Sequence, residues 1–293
     1  MSSLSVTAYA KVNLCLEVLG KRPDGFHEVR SVMQSISLAD ELLIDPADRL
    51  VVECEILELA DENNLIVVAA KALAKRSGRD AGARVRLTKG IPVASGLGGA
   101  SSDAAAALVG LSRLWGIDLP EVELSAMAAG LGADVPFFLA GGTAMVSGKG
   151  ETVVPLPDAQ PIWLTLLVPG HTLASKTARL YQHLTPALWT SGTRTERMAA
   201  AISQGLPLTP DLAGNVFEQV AAEVFPTIPA YEEALLDAGA SSAHLSGAGP
   251  ALFSVFASEA EARAVAHGAE ARGFKPFVAR TLSTPEARPV AHE

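Results

Sequence analysis

The chain has few cysteines and no long apolar run. Two of its 293 residues are cysteine, which is too few for a disulfide framework. No run of about 18 apolar residues occurs, so the sequence predicts no transmembrane helix. The first residues also lack the basic segment and apolar core of a secretory signal. We therefore expect a cytosolic protein that does not contact a membrane.

Positive charge is also in deficit, since the formal net charge is -9 at pH 7. A nucleic-acid surface needs clustered lysine and arginine to neutralise phosphates, so we expect no nucleic-acid partner. The hydrophobic fraction of 49% and the charged fraction of 19% are ordinary for a globular protein. A chain of 293 residues is long enough for two lobes. A local cradle in such an acidic chain can still bind a small anion.

Strand and helix patterns are interleaved without a regular βαβ rhythm, which predicts the α+β class. We expect an N-terminal lobe at 1–157, a C-terminal lobe at 158–281 with the boundary near 155–162, and a loose tail at 282–293. The periodicities predict strands at 4–19, 28–45, 49–57, 84–89, 163–168, 243–246, 251–256 and 275–280, and a hairpin at 143–155. They predict helices at 64–75, 101–115, 121–131, 174–183, 194–204, 213–223, 229–238 and 258–272, the last opened by a capping box at Ser258 and Glu261.

A loop rich in glycine and serine precedes an alanine-rich helix that begins near residue 101. Glycine lets backbone N–H groups point inward, and the helix start adds unpaired donors and partial positive charge. The loop is neither a P-loop, which needs a lysine before the helix, nor a full dinucleotide fingerprint. A plain turn with Ser101 or Ser102 as helix N-cap is the simpler alternative. We predict a nucleotide-phosphate cradle formed by Pro92, Val93, Ala94, Ser95, Gly96, Leu97, Gly98, Gly99, Ala100, Ser101 and Ser102, whose two last hydroxyls suit phosphate or magnesium.

The order Pro-x-x-x-Gly-Leu-Gly-Gly-x-Ser-Ser at 92–102 resembles the central motif of the GHMP kinases (galactokinase, homoserine, mevalonate and phosphomevalonate kinases). Segments 8–16 and 245–253 resemble the first and third motifs of that family, in the same order along the chain. The resemblance implies a two-lobed fold with the active site in the cleft between the lobes. It also implies that the chain phosphorylates a small-molecule alcohol with ATP and Mg²⁺.

Two further segments, 22–28 and 132–138, resemble the members that phosphorylate the 2-hydroxyl of a cytidine-diphosphate-linked polyol in non-mevalonate isoprenoid synthesis. One alternative is a homoserine or mevalonate type of kinase. The Phe-His pair at 26–27 argues against it, because only an enzyme that reads a base needs such a pair. Another alternative is an inactive binding protein with this fold. Retention of Lys11, Asp134 and the glycine loop argues against that.

Lys11, Asn13 and Asp134 carry the implied chemistry. On the local sequence alone, Asp134 also fits an N-cap for a helix beginning near Pro136, and Lys11 fits a solvated lysine of an edge strand. The resemblance implies that Asp134 is the general base for the acceptor hydroxyl and that Lys11 pairs with it and faces the transferring phosphate. Asn13 shares a strand face with Lys11, where it either contacts substrate or is simply exposed.

Substrate recognition is implied for residues in three other segments. By resemblance, Phe26 stacks on cytosine, His27 reads the polar edge of the base, and Tyr181 covers its other face. Thr177 lies four residues before Tyr181 and shares its helix face. Many members carry tyrosine where Phe26 stands, and either ring can stack.

A second glycine turn at 246–250 and a helix opener at 62–65 complete the site. The resemblance implies that Gly247 and Gly249 close over the substrate diphosphate, although a tight turn alone also explains them. Asn63 or Asn64 is a plausible helix cap, and the family places the Asn64 region near the adenine.

Overall fold

A computed structural model describes residues 3–56, 59, 61–78, 82–170, 173 and 175–293. The strands are β1 (Leu4–Lys21), β2 (His27–Asp45), β3 (Val51–Cys54), β4 (Arg84–Thr88), β5 (Thr143–Gly148), β6 (Thr152–Pro155), β7 (Trp163–Leu167), β8 (Gly214–Asn215), β9 (His244–Leu245), β10 (Leu252–Phe256) and β11 (Pro276–Arg280). The helices are α1 (Leu65–Ser77), α2 (Gly99–Trp115), α3 (Glu121–Leu131), α4 (Val135–Ala140), α5 (Lys176–His183), α6 (Thr193–Ser203), α7 (Ala221–Val224), α8 (Ile228–Asp237), α9 (Glu259–Glu270) and α10 (Thr284–Ala287).

The first sheet is built around the long antiparallel pair β1 and β2. Its strand order is β3-β4-β2-β1-β8, with β5 and β6 joined to β2. Helix α2 packs on one face of this sheet, and α1 packs against α2. The alanines at 104–107 of α2 are buried, because small side chains allow the helix to approach closely. The start of α2 is fixed beside the middle of β1, since Lys11 N donates to Leu97 O at 2.9 Å.

The second sheet has the order β11-β7-β10-β9 and is antiparallel throughout. Helix α9 packs on its strands. Strand β8 comes from the second half of the chain but pairs in parallel with β1 at Cys15 and Leu16. The structure is therefore the α+β, two-lobed arrangement that the sequence predicts. The predicted lobe boundary near 155–162 lies between β6 and β7 and stays a prediction.

Most predicted elements are present, and the capping box of α9 at Ser258 and Glu261 is confirmed. The helix predicted at 213–223 is wrong. Gly214 and Asn215 are extended, a 3-10 turn follows, and only 221–224 is α-helical. A Cβ at Gly214 would lie 1.8 Å from the Arg194 guanidinium. The need for close packing there sets the local conformation rather than helical periodicity.

The tail at 282–293 is not loose. Ser283 and Glu286 form a capping box that opens α10, and His292 exchanges backbone hydrogen bonds with Ser5 of β1 at 2.8 and 2.9 Å. Proline and charge suggested disorder, but local capping and the edge of β1 hold the segment. Helix α4 is present where the alternative interpretation of Asp134 as an N-cap placed a helix near Pro136. Within the described ranges no helix is long and apolar enough to cross a membrane.

Candidate active site

The glycine loop and the start of α1 line a cavity of about 420 Å³, here called the nucleotide cavity. Gly98 is the N-cap of α2 with a φ of 79°, and the first helical bond runs from Ser102 N to Gly98 O at 2.9 Å. The N–H groups of the first turn therefore face the loop rather than a helical carbonyl, as an anion site requires. Predicted loop residues on its wall are Pro92, Val93, Ala94, Ser95, Gly96, Gly98, Gly99, Ala100 and Ser101.

Leu97 and Ser102 belong to the same loop but serve the fold. Leu97 is fully buried in the core beneath the loop. The Ser102 hydroxyl donates to the carbonyl of Tyr9 at 2.6 Å. Neither residue lines the nucleotide cavity, and their predicted contact with the nucleotide stays a prediction. The alternative of a serine N-cap is wrong, because the cap residue is Gly98 and no side chain caps α2.

Asn64, rather than Asn63, is the N-cap of α1. Its Oδ1 accepts from Ile66 N at 2.8 Å, and its Nδ2 donates to Leu59 O at 2.5 Å. Asn64 also lines the nucleotide cavity. The predicted proximity to adenine stays a prediction, but the capping role is confirmed.

A second cavity of about 320 Å³ lies between the lobes and is called the acceptor cavity. Gly96 and Gly98 line both cavities, so the glycine loop forms the partition between them. Residues predicted for catalysis or substrate binding that line the acceptor cavity are Lys11, Asn13, Asp134, Thr177, Tyr181 and Gly247. The two halves of the chain therefore meet at this loop, and molecules bound in the two cavities would lie next to each other.

Lys11 and Asp134 meet at this junction. Lys11 Nζ lies 3.8 Å from Asp134 Oδ2, and the two side chains are 4% and 32% exposed. Lys11 Nζ also donates to Asn13 Oδ1 at 2.5 Å and to Gly96 O at 2.9 Å. Burial lowers the pKa of Lys11, and the Asp134 carboxylate opposes that shift. The ammonium is thus held in place by oxygen atoms from three directions.

Asp134 stands at the N-cap position of α4 but, in the described chain, makes no capping hydrogen bond with its side chain. Its carboxylate faces Lys11 instead, as the catalytic interpretation requires. Gly98 makes this approach possible. A Cβ at Gly98 would lie 2.5 Å from Phe138 Cζ and 3.1 Å from Lys11 Cγ. The helix start, the loop and the strand can therefore pack together only with glycine at that position.

Asn13 connects Lys11 to the neighbouring strand. Its Nδ2 donates to Ser31 Oγ at 2.7 Å, so its amide orientation is set and its Oδ1 faces the Lys11 ammonium. Gly247, with a φ of 56°, lies close to both, because a Cβ there would be 3.0 Å from Asn13 Oδ1. Gly249 does not line either cavity. Its carbonyl accepts a hydrogen bond from Lys176.

The aromatic residues are arranged differently from the prediction. The His27 ring stacks on Tyr181 with centroids 4.3 Å apart and an angle of 11°, and Trp189 contacts His27 edge-on. Phe26 is 57% exposed, with Lys149 Nζ 4.7 Å from its ring centroid. Phe26 lies in the turn before β2 while His27 begins that strand, so the two side chains diverge. The binding of a base between Phe26 and Tyr181 stays a prediction. Such binding requires the His27 ring to leave the face of Tyr181 on which it stacks.

Two family models match the chain, "GHMP kinases N terminal domain" over residues 64–142 and "GHMP kinases C terminal" over residues 197–275. A relative from Dehalococcoides mccartyi named 4-diphosphocytidyl-2-C-methyl-D-erythritol kinase is 42% identical, covering 95% of this chain and 98% of the relative. The chain belongs to the GHMP kinase family. A relative of the same name from Symbiobacterium thermophilum is 44% identical, covering 86% of this chain and 90% of its own.

Solved structures agree with this assignment. A crystal structure of 4-(cytidine 5'-diphospho)-2C-methyl-D-erythritol kinase superposes with a TM-score of 0.82 at 31% identity, covering 94% of this chain and 98% of that one. A homoserine kinase from Cytophaga hutchinsonii superposes with a TM-score of 0.75 at 19% identity, covering 100% and 98%, and shows the shared fold. This GHMP kinase is therefore an ATP-dependent small-molecule kinase.

Three lysines of this GHMP kinase were not predicted as site residues: Lys89, Lys149 and Lys176. Lys89 lines the nucleotide cavity, donates to Asp103 Oδ2 at 2.9 Å and contacts the fully buried Asp40. Burial raises the pKa of Asp103 to about 8, and its Oδ1 has no partner among the described residues. For Lys89, the only local indication in the sequence was its position next to Gly90, just before the glycine loop.

Proposed function

We propose that the chain transfers the terminal phosphoryl group of ATP to the 2-hydroxyl of 4-diphosphocytidyl-2-C-methyl-D-erythritol. The observation that carries the proposal is that Gly96 and Gly98 line both cavities, with Lys11 and Asp134 beside that partition. A phosphate reaching across the loop would meet an acceptor hydroxyl at this point. The relatives that are 42% and 44% identical bear the name of that activity.

In the proposed step, the acceptor hydroxyl oxygen forms a bond to the γ-phosphorus. The bond from that phosphorus to the β–γ bridging oxygen breaks, and its electron pair leaves with ADP. The hydroxyl proton passes to the Asp134 carboxylate. Lys11, which Asn13 and Gly96 hold in position, stabilises negative charge on the transferring group without having to reorganise.

Mg²⁺ fits the oxygen chemistry of this site. The described residues contain no group of three or more His, Cys, Asp or Glu side chains that would form a protein cage. Mg²⁺ at kinase sites is instead bound by phosphate oxygens, water and one or two protein oxygens. The Ser101 hydroxyl on the wall of the nucleotide cavity is the protein oxygen we assign to it. When bound, the ion neutralises charge on the phosphates.

The acceptor cavity suits an anionic substrate that carries a base. Its wall holds Lys11, Lys149 and Lys176 against the single carboxylate of Asp134, in a chain whose net charge is -9. Such a local excess of positive charge favours a diphosphate. Tyr181 on the same wall offers ring surface for cytosine when His27 leaves the face on which it stacks. We propose that Phe26, His27 and Tyr181 read the base and that Thr177 and Gly247 contact the rest of the substrate.

A substrate panel with ADP release as readout tests this function. The panel contains 4-diphosphocytidyl-2-C-methyl-D-erythritol, its uridine analogue, homoserine and mevalonate. We expect the cytidine compound to have the highest kcat/KM by at least tenfold. Equal use of the uridine analogue would overturn base reading, and preference for homoserine or mevalonate would assign the chain to another GHMP specificity. The cytosolic location and the lack of a nucleic-acid partner stay predictions of the sequence.

A further inference from the structure

Lys176, the first residue of α5, bridges the two glycine segments of the site. Its Nζ donates to the carbonyl of Ala94 in the glycine loop at 2.6 Å and to the carbonyl of Gly249 in the second turn. Ala94 lines the nucleotide cavity, whereas Lys176 lines the acceptor cavity. The side chain therefore reaches across the partition along which phosphates would pass.

Lys11 contacts the same two segments, two residues after Ala94 in the glycine loop and two residues before Gly249 in the second turn. Its Nζ donates to Gly96 O at 2.9 Å and lies 3.1 Å from the Cβ position of Gly247. Two ammonium groups thus flank one loop–turn junction, and only Lys11 has a carboxylate partner there among the described residues. Two carbonyls occupy two of the three N–H donors of Lys176, which leaves one donor for another oxygen.

We propose that Lys176 is a second phosphate-binding cation of this kinase, which binds phosphate oxygens at the junction of the two cavities. The inference rests on the proposed function for the identity of the reactants. The phosphate belongs either to the terminal group of the nucleotide or to the diphosphate of the acceptor, and both offer the same charged oxygens.

The electrostatics of the cavity support an anion beside Lys176. Burial, and then the charge of Lys11, lower the pKa of Lys176 to about 8. The other titratable groups on the cavity wall are Asp134, Lys149 and Tyr181. An anion between the two ammonium groups would offset their mutual repulsion and raise the pKa of Lys176. Phosphate binding above pH 8 should therefore be accompanied by proton uptake.

A purely structural role makes a different prediction. A neutral lysine amine still has two N–H groups, so it can still donate to the carbonyls of Ala94 and Gly249. Loss of the proton would leave that bridge intact but would remove the charge that attracts phosphate. Sensitivity to protonation therefore separates a phosphate-binding lysine from one that only links two loops.

The first experiment measures equilibrium binding of ATP, ADP and CDP to wild type, Lys176→Met and Lys176→Arg. Lys75→Met, which removes an exposed lysine from α1, is the matched control. A charge-assisted hydrogen bond predicts a loss of about tenfold to a hundredfold in affinity for Lys176→Met. We expect Lys176→Arg to recover most of it, because the guanidinium keeps the charge.

The ligand whose affinity falls identifies the source of the phosphate. A larger loss for ATP than for ADP assigns Lys176 to the terminal phosphate of the nucleotide, and a loss for CDP assigns it to the acceptor diphosphate. Affinities that all stay within twofold of the Lys75→Met control overturn the proposal. So does a variant that loses thermal stability but keeps its affinities, since that result describes a structural bridge.

The second experiment is the pH profile of kcat/KM between pH 6 and 10. We expect the wild-type value to fall as pH rises through the pKa of Lys176, and the fall to move to higher pH in Lys176→Arg. An unchanged alkaline limb in Lys176→Arg would assign it to Lys11 and contradict the proposal. The binding measurements do not depend on turnover. Failure of the wild type to phosphorylate the cytidine substrate would therefore overturn the proposed function while the role of Lys176 is decided separately.

Discussion

Replacing Asp134 with asparagine separates the chemistry of the site from its folding. Asparagine has nearly the same size, and the Asp134 side chain makes no capping bond to α4 in the described chain, so the helix start should survive. The change removes an anionic proton acceptor 3.8 Å from Lys11 Nζ. Loss of an acid–base group costs about 10²–10⁴ in rate. That loss corresponds to about 3–5 kcal/mol in the activation barrier at roughly 1.36 kcal/mol per factor of ten.

The same substitution changes the titration of Lys11. Burial lowers the pKa of Lys11, and the Asp134 charge is the influence that raises it. Removing the carboxylate leaves burial unopposed, so the pKa of Lys11 falls further. Because Asp134 is 32% exposed, water screens part of the attraction, and the fall is smaller than for a fully buried pair. The residual activity of Asp134→Asn should therefore decline at a lower pH than wild-type activity.

The assay follows ADP release at saturating ATP and acceptor, with thermal unfolding and ATP calorimetry on the same samples. Asp237→Asn, which removes an exposed carboxylate from α8, is the matched control. We expect Asp134→Asn to keep its melting temperature and its ATP affinity while losing turnover. Turnover within threefold of wild type in a folded variant would refute the assignment of Asp134 as base.

Three other predictions follow from the packing of the site. Gly98→Ala should lower the affinity for ATP by at least tenfold, because a Cβ would lie 2.5 Å from Phe138 and a φ of 79° is strained for alanine. Unchanged ATP affinity by calorimetry would contradict this. His27→Ala should lower the ratio of kcat/KM between the cytidine substrate and its uridine analogue. Tyr181→Ala should instead lower kcat/KM for both substrates about equally. Asp103 has a raised pKa of about 8, so its contribution to stability is present at acid pH and is lost as pH rises through 8. The stability of Asp103→Asn relative to wild type should therefore increase from pH 5 to pH 9, measured by denaturant unfolding.

The parts of the site that the sequence predicts are those whose chemistry is local. The cradle at 92–102 depends on three glycines within four residues, Gly96, Gly98 and Gly99, and all three line the nucleotide cavity. Asn64 was recognisable as a helix cap because the sequence pattern of a cap spans only about four residues. The pairing of Lys11 with Asp134 was implied by resemblance rather than by spacing. The structure places those two groups together.

Contacts between distant segments were not predictable in the same way. Lys176 contacts Ala94 and Gly249, which are 82 and 73 residues away in the sequence. Sequence periodicity does not predict contacts between such distant segments. The tail was misjudged for a related reason. A Cβ at Gly142 would lie 2.2 Å from Thr284 Oγ1, so the tail packs against a glycine turn about 140 residues earlier in the chain. Composition described the tail's own residues but not the surface that receives them.

The misread segment at 213–223 contains a residue that we expect to position the second glycine turn. Asn215 is buried, and its Nδ2 donates to Leu245 O and Gly247 O, each at 2.8 Å, while its Oδ1 accepts from Phe217 N at 3.0 Å. Asn215→Asp keeps the acceptor but sets a carboxylate oxygen against two carbonyls, which costs about 1–3 kcal/mol for the buried groups left unpaired. Because Gly247 lines only the acceptor cavity, KM for the acceptor should rise and kcat should fall while ATP affinity is unchanged. Steady-state kinetics at a temperature where the variant is folded would measure this, and a parallel loss of ATP affinity would show that Asn215 supports the whole fold rather than one side of the site.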